Sequence, residues 1–182
     1  KQGYAIARAA FRRGADVTLI LANSELSDPS GVRCIRVSTA EEMFNHVKRE
    51  FDQCDVLVMS AAVADAKPSQ VSPIKLKKGS LTSIELASNP DIVATVASRK
   101  KSQIVIAFAA ETSDDLLAAE AKRVSKGANI LYLNDVSEGA IFGATETQGI
   151  VITSNGAQIE VPTSSKDSLG ELLLDQALIQ LG

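Results

Sequence analysis

The chain has 182 residues, 45% of them hydrophobic, 23% charged and 4% aromatic, with a formal net charge of −3. That apolar fraction excludes disorder, and the length supports one substantial core, so a single domain over residues 1–182 is expected. The longest apolar stretch, residues 104–110, is far short of the roughly 20 residues of a spanning helix, and the acidic balance speaks against a nucleic-acid or membrane surface. Two cysteines, Cys34 and Cys54, make neither a disulfide framework nor a metal-ligand cluster, which points to a reducing, cytoplasmic setting.

Tyr4, Ala5, Ile6, Ala9 and Phe11 give residues 3–13 a helical apolar side, Arg12 and Arg13 fall in its last turn, and Gly14 stops it. No strand stands before this helix, so the chain is expected to lack the first strand of a βαβ unit. Residues 17–21 and 32–37 read as strands. Thr39 and Glu42 form a capping box that opens a helix reaching about Phe51. The run 56–59 is continuous rather than alternating, the pattern of a strand covered on both faces.

Residues 61–79 form a long connection with Pro68 and Pro73 that ends in Lys75, Lys77 and Lys78; connections of this length tend to be functional. Residues 82–86 suggest a short strand. Asn89 as cap and Pro90 in the first turn predict a helix start. Residues 104–108 read as a strand, 114–126 as a helix and 130–133 as a strand. Residues 149–153 and 157–161 flank Asn155-Gly156, the usual pair of a type I′ hairpin turn, and a last helix spans 167–181. The expected fold class is α/β: a Rossmann-like, doubly wound, mostly parallel sheet with helices on both faces and an added antiparallel hairpin.

In such sheets ligands bind beyond the carboxyl ends of the strands, so the loops there carry the candidates. Ser60-Ala61-Ala62-Val63-Ala64-Asp65 offers close backbone approach and one carboxylate; tight loop packing explains it equally well. Lys75, Lys77 and Lys78 suit phosphate or carboxylate, or else guard an edge strand. Asn89-Pro90-Asp91-Ile92-Val93 presents free amides at a helix start, or is ordinary capping. Phe108-Ala109-Ala110-Glu111-Thr112 leads toward a helix on which Lys122 and Lys126 share a face and can grip a polyphosphate, a solvated lysine face being the plain alternative. The lone histidine, His46, lies in a helix pattern and is read as packing. No phosphate-binding glycine loop with a following Lys-Ser/Thr pair is present, and Tyr-x-x-x-Lys follows neither Tyr4 nor Tyr132.

Taken together, residues 61–65, the Lys75 segment, 89–93, 108–112 and Asn134-Asp135-Val136-Ser137 resemble, in order and spacing, bacterial phosphopantothenoylcysteine synthetase. The likeness covers nearly the whole chain. It implies a CTP-dependent ligase of coenzyme A biosynthesis that joins 4′-phosphopantothenate to L-cysteine through an acyl-cytidylate, releasing pyrophosphate and CMP. It implies Mg²⁺, with ligands not identifiable from the sequence, a homodimer, and FMN only in a fused or associated decarboxylase domain. By the same resemblance Met59, Ser60, Ala61, Asp65, Lys75, Pro90, Asp91, Ile92, Val93, Phe108, Lys122 and Lys126 surround the nucleotide. Asp65 is expected to hold ribose, Pro90 to Val93 and Phe108 to frame cytosine, the lysines to neutralise phosphates, and Lys75 to act catalytically nearest the reacting centre. The chain departs from the family pattern at Ala66, where an aromatic residue is common, and at Ala107, where glycine is usual. The family's phosphate loop, with an Asn implicated in amide formation, is expected to precede residue 1. The competing readings are a nucleotide-binding or regulatory module without ligase activity and an NAD(P)-dependent oxidoreductase.

Overall fold

Strand β6 (Ile104–Glu111) organises the molecule, because its two faces carry two different cores. Ile104 and Ile106 join Ile130 and Tyr132 of β7 (Ile130–Asp135) in one apolar cluster, whereas Val105, Ala107 and Ala109 join Leu131 and Leu133 in the other. This is the period-2 alternation of a strand covered on both sides. The first cluster is closed by Ile6 of α1 (Gln2–Arg12) and by Leu169, Leu173 and Ala177 of α5 (Lys166–Leu181). The second is closed by Met43, Val47 and Phe51 of α2 (Ala40–Phe51), by Ile92, Val93, Val96 and Ala97 of α3 (Ile92–Ala97), and by Ala119 of α4 (Leu116–Ser125). Helices therefore cover both faces, as the alternation of elements predicts. The computed structural model describes residues 1–70, 72, 74, 83–111, 115–135 and 145–182.

The main sheet runs in the order β3 (Val56–Met59), β6, β7, β8 (Glu146–Thr153), β9 (Gln158–Ser165), the first three parallel and the last two antiparallel. Strands β1 (Thr18–Ala22) and β2 (Arg33–Val37) form a separate parallel pair, and β4 (Ala66–Pro68) and β5 (Leu86–Ser88) an antiparallel one. A mixed α/β fold with a parallel core and an antiparallel extension is thus present, but as separate sheets rather than one. Between β1 and β3 lies a cavity of ≈ 1510 Å³, lined by every residue of both strands and by parts of α1, α2 and α5. Val56, Leu57 and Val58 are consequently only half-buried, although their continuous apolar run predicts full cover.

Local chemistry explains most element ends. The capping box forms, with Glu42 N–H donating to Thr39 Oγ1 at 3.1 Å and Thr39 N–H donating to Glu42 Oε2 at 3.2 Å. α1 and α5 are laced by Arg8–Asp167, Arg12–Glu171 and Arg13–Asp175, and Gly170 lets them approach closely, since a Cβ there would sit 3.4 Å from Ile6 Cα.

Three expectations need correction. The short strand lies at 86–88, because its partner is Ala66–Pro68. The 153–157 connection is not a type I′ turn. Gly156 N–H donates to Thr153 O at 3.0 Å, and of Ser154, Asn155 and Gly156 only Gly156 is left-handed (φ 87), so this is a three-residue hairpin closed by glycine. Finally, Asn89 does not cap α3. Asp91 does, its side chain accepting from Ala94 N, so the helix starts two residues later than expected.

Candidate functional site

β3 and β6 pair in parallel with Met59 opposite Ala107, so β3 ends while β6 runs on for four more residues to Glu111. The chain leaving β3 runs along 60–65, and β6 continues through Phe108, Ala109 and Ala110. These two segments, the start of α3 and the last turn of α4 enclose a cavity of ≈ 300 Å³. Its wall contains Met59, Ala61, Asp65, Pro90, Asp91, Ile92, Val93, Phe108, Lys122 and Lys126, ten of the residues expected to act together. Two are not among them. Ser60 borders only the larger cavity, with its hydroxyl 3.0 Å from where a Cβ on Gly3 would sit, so it faces α1. Lys75 lies outside the described residues, as do Lys77, Lys78, Thr112, Val136 and Ser137.

The charged side of the cavity is built by α3 and α4. Asp91 Oδ1 accepts from Ala94 N–H at 3.0 Å, while Oδ2 accepts from Lys126 Nζ at 2.6 Å. Burial works to raise the Asp91 carboxyl, but the Lys126 hydrogen bond and the Ala94 and Val93 amides outweigh it and hold its pKa below the ordinary value. Lys122 sits one helical turn before Lys126, half-buried on the same wall. The turn that carries both is anchored from inside. Arg123 is buried, donates to Ala128 O at 2.7 Å, and grips Glu120 through two bonds of 2.7 and 2.6 Å. Lys100 Nζ fixes the following turn by donating to Gly127 O and Asn129 Oδ1, both at 2.7 Å.

The apolar side is built from small residues and one ring. Ala61 to Ala64, Ala107, Ala109 and Ala110 leave backbone within reach of a ligand. Phe108 is held edge-on to Tyr132, ring centroids 5.5 Å apart at 69°. Tyr132 is held in turn, its hydroxyl 2.8 Å from Thr147 Oγ1, which donates to Asn134 Oδ1 at 2.8 Å. The arrangement can take a flat, partly apolar group against the small residues and an anionic group beside Lys122 and Lys126.

Asn89 is the wall residue whose part sequence reasoning assigned wrongly. Its backbone N–H donates to Asp65 O at 2.8 Å and its Nδ2 to Ala64 O at 2.9 Å, tying the 61–65 loop to the start of α3. The available signal was Asp91, itself a capping residue type two positions after Asn89.

The family model for the DNA/pantothenate metabolism flavoprotein C-terminal domain matches residues 1–180. The chain is 40% identical over 188 residues to the coenzyme A biosynthesis bifunctional protein CoaBC of Mycobacterium tuberculosis (strain H37Rv), covering 96% of this chain and 45% of that protein. It therefore spans about half the length of the curated relatives it matches. The crystal structure of the C-terminal domain of a CoaBC protein superposes with a TM-score of 0.84 at 30% identity, covering 99% of this chain and 82% of that one. A mutant Cab2 in complex with phosphopantothenate-cysteine shares the fold, with a TM-score of 0.73 at 11% identity, covering 100% of this chain and 77% of that one.

Proposed function

Given that the chain belongs to the DNA/pantothenate metabolism flavoprotein C-terminal domain family, we propose that its ≈ 300 Å³ cavity binds CTP and that the complete protein ligates 4′-phosphopantothenate to L-cysteine. The carrying observation is the convergence of small residues, Phe108 and two lysines around the carboxyl end of β3 and the last residues of β6. A carboxylate is a poor acyl donor until one of its oxygens becomes part of a good leaving group. In this reading the phosphopantothenate carboxylate attacks the α-phosphorus of CTP and pyrophosphate leaves. The cysteine amine then attacks the acyl carbon, and CMP departs as the amide forms. The chain contributes positioning and charge: Asp65 for ribose, Pro90 to Val93 and Phe108 for the base, and Lys122 and Lys126 for phosphates. Lys75 is assigned nearest the reacting centre.

Among the described residues no group of three or more His, Cys, Asp or Glu side chains is placed to hold a metal. The residues suit Mg²⁺ arriving on the nucleotide phosphates rather than an all-protein cage. FMN belongs in a fused decarboxylase half, outside residues 1–182. Homodimer assembly is part of the same reading. No helix among the described residues is long and apolar enough to cross a membrane.

The cavity between β1 and β3 supports the missing-strand expectation. Each strand has one paired edge and one edge turned to the cavity. A parallel strand placed there would be followed by α1 and then β1, a right-handed crossover of ordinary length. With it the order becomes β2-β1-new-β3-β6-β7-β8-β9, one continuous, doubly wound, Rossmann-like sheet. We assign that strand and the phosphate loop to the segment of the longer protein that precedes residue 1.

An assay on the full-length protein tests the reading. With CTP, phosphopantothenate and cysteine it should release CMP and pyrophosphate in equal amounts, and Lys75→Gln should suppress pyrophosphate release. Calorimetry with CTP, ATP and NADPH separates the alternatives: tight NADPH binding without CTP binding would make it an oxidoreductase, and CTP binding without turnover a nucleotide-binding module.

A further inference from the structure

Thr147, Tyr132 and Asn134 form a short hydrogen-bonded cluster at one end of the sheet. Thr147 Oγ1 donates to Asn134 Oδ1 at 2.8 Å, and the Tyr132 hydroxyl lies 2.8 Å from Thr147 Oγ1 and reaches the same Asn134 oxygen at 3.4 Å. Tyr132 and Thr147 are buried, so these bonds lie in a low-dielectric interior where they are costly to leave unmade. The Asn134 carboxamide is thereby oriented: its oxygen faces the two hydroxyls, and its nitrogen, with two N–H donors, faces away from them. Asn134 is only half-buried, and its Nδ2 bonds to none of the described residues and is not one of the buried atoms left without a partner. Asn134 lies opposite Ala110 of β6 and Tyr132 opposite Phe108, and both Phe108 and Ala110 line the ≈ 300 Å³ cavity. Two positions apart on one strand, Asn134 and Tyr132 share the face covered by α1 and α5. Both helices start near this end of the sheet: Lys166 N–H donates to Thr145 O at 3.2 Å, two residues before Thr147, and Gln2 Nε2 donates to Lys166 O at 3.0 Å.

We infer that Thr147, backed by Tyr132, is a positioning residue that holds the Asn134 amide with its nitrogen outward, so that Nδ2 donates to an anionic oxygen of the acyl substrate. The inference rests on the ligase reading. A carboxamide carries donors at one end and an acceptor at the other, and turned over it would face an anion with an oxygen. The two orientations have nearly the same shape, so packing alone does not choose between them. The hydroxyls choose, because each can donate to the amide oxygen and the amide is set before a ligand arrives. An anion suits this end of the sheet, since the starts of α1 and α5 carry the positive ends of two helix dipoles.

The test is steady-state ligation by the full-length protein, with each substrate varied in turn, in the wild type, Thr147→Val, Thr147→Ser and Tyr132→Phe. Thr147→Val keeps the shape and loses the hydroxyl, leaving the amide only the longer approach of Tyr132. It should raise KM for phosphopantothenate at least about tenfold, the scale of one hydrogen bond to a charged group, and move KM for CTP and kcat far less. Thr147→Ser restores the hydroxyl and should recover most of the wild-type KM. A role confined to strand packing predicts the opposite order, because valine suits a strand better than serine. Tyr132→Phe leaves the bond from Thr147 to Asn134 in place and should give a smaller rise of the same kind. If serine at 147 is worse than valine, or if Thr147→Val raises KM for CTP as much as KM for phosphopantothenate, the positioning role is overturned while the ligase reading stands. Should Thr147→Val fail to fold, the other two variants decide: a raised KM in Thr147→Ser with an unchanged one in Tyr132→Phe overturns the role. If the wild type does not ligate phosphopantothenate, both fall.

Discussion

The two cavities of this molecule flank the same strand, β3, and differ in what made them. The small one, ≈ 300 Å³, is bounded by elements whose positions are fixed by specific bonds: Asp91 to Ala94 and Lys126, Asn89 to the 61–65 loop, Arg123 to Ala128 and Glu120. The large one, ≈ 1510 Å³, is bounded by two strand edges and by aliphatic side chains such as Leu174 and Leu178 of α5. A ligand site needs convergent polar groups on rigid supports, whereas a gap in a sheet shows backbone edges and apolar flanks. Size and polar anchoring select different cavities. The comparison teaches that the proposed nucleotide site rests on polar groups and their anchoring, not on volume.

The largest expected effect breaks the comparison at the large cavity. A protein that includes the segment before residue 1 should be more stable than residues 1–182 alone, on the order of 5 kcal/mol for burying a few apolar side chains. Strand amides alternate between edges, so those of Ile20 and Val58, which face away from β2 and β6, should become protected against hydrogen exchange only in the longer protein. Equal protection in both would mean that the cavity has no strand to receive.

A smaller effect tests how the small cavity is held. Arg123→Ala removes three hydrogen bonds and leaves Ala128 O without its buried partner, so denaturant unfolding should show a loss of about 2–3 kcal/mol. Nucleotide affinity should fall with it, because the turn bearing Lys122 and Lys126 loses its anchor. An Arg123→Ala protein with unchanged affinity would show that this turn does not depend on Arg123.

The smallest effect is titratable. Asp91→Asn keeps a capping side chain but loses the charge that faces Lys126. The pair is partly exposed, so solvent screening limits its worth to about 0.5 kcal/mol. The Asp91 pKa is lowered in the folded protein, so the wild type's advantage is present above the ordinary carboxyl value of 3.8 and is lost as pH falls through the lower folded-state value. Melting temperatures of wild type and variant should differ at neutral pH and converge in strong acid. A difference that persists there would assign the effect to capping geometry instead of charge.

Much of this was legible from residues 1–182 read in order. The alternation of helices and strands, the Thr39–Glu42 box and the run of small residues after β3 were all present as local patterns, and ten expected site residues do share one wall. The misreadings have local causes too. Asn89-Pro90 carries a helix-start signal, but the adjoining Asp91 caps better because Asn89 is drawn to the 61–65 loop, a contact between residues 24 and 25 positions apart. Asn155-Gly156 carries a type I′ signal, yet Thr153 uses its own hydroxyl to bond Ala157 N–H at 3.0 Å and the hairpin settles on a longer turn.

The sequence by itself determined which segments are helix or strand and which loops offer small residues and charge, because spacing, capping and side-chain size act within a few residues. Only the tertiary structure decided that β1 and β3 stay apart, that Asp91 rather than Asn89 caps α3, and that buried hydroxyls from β7 and β8 meet at the Asn134 amide. Those outcomes depend on contacts between segments distant in the chain, where pairing edges and hydrogen-bond partners are allotted by the packing of the whole and not by any local pattern.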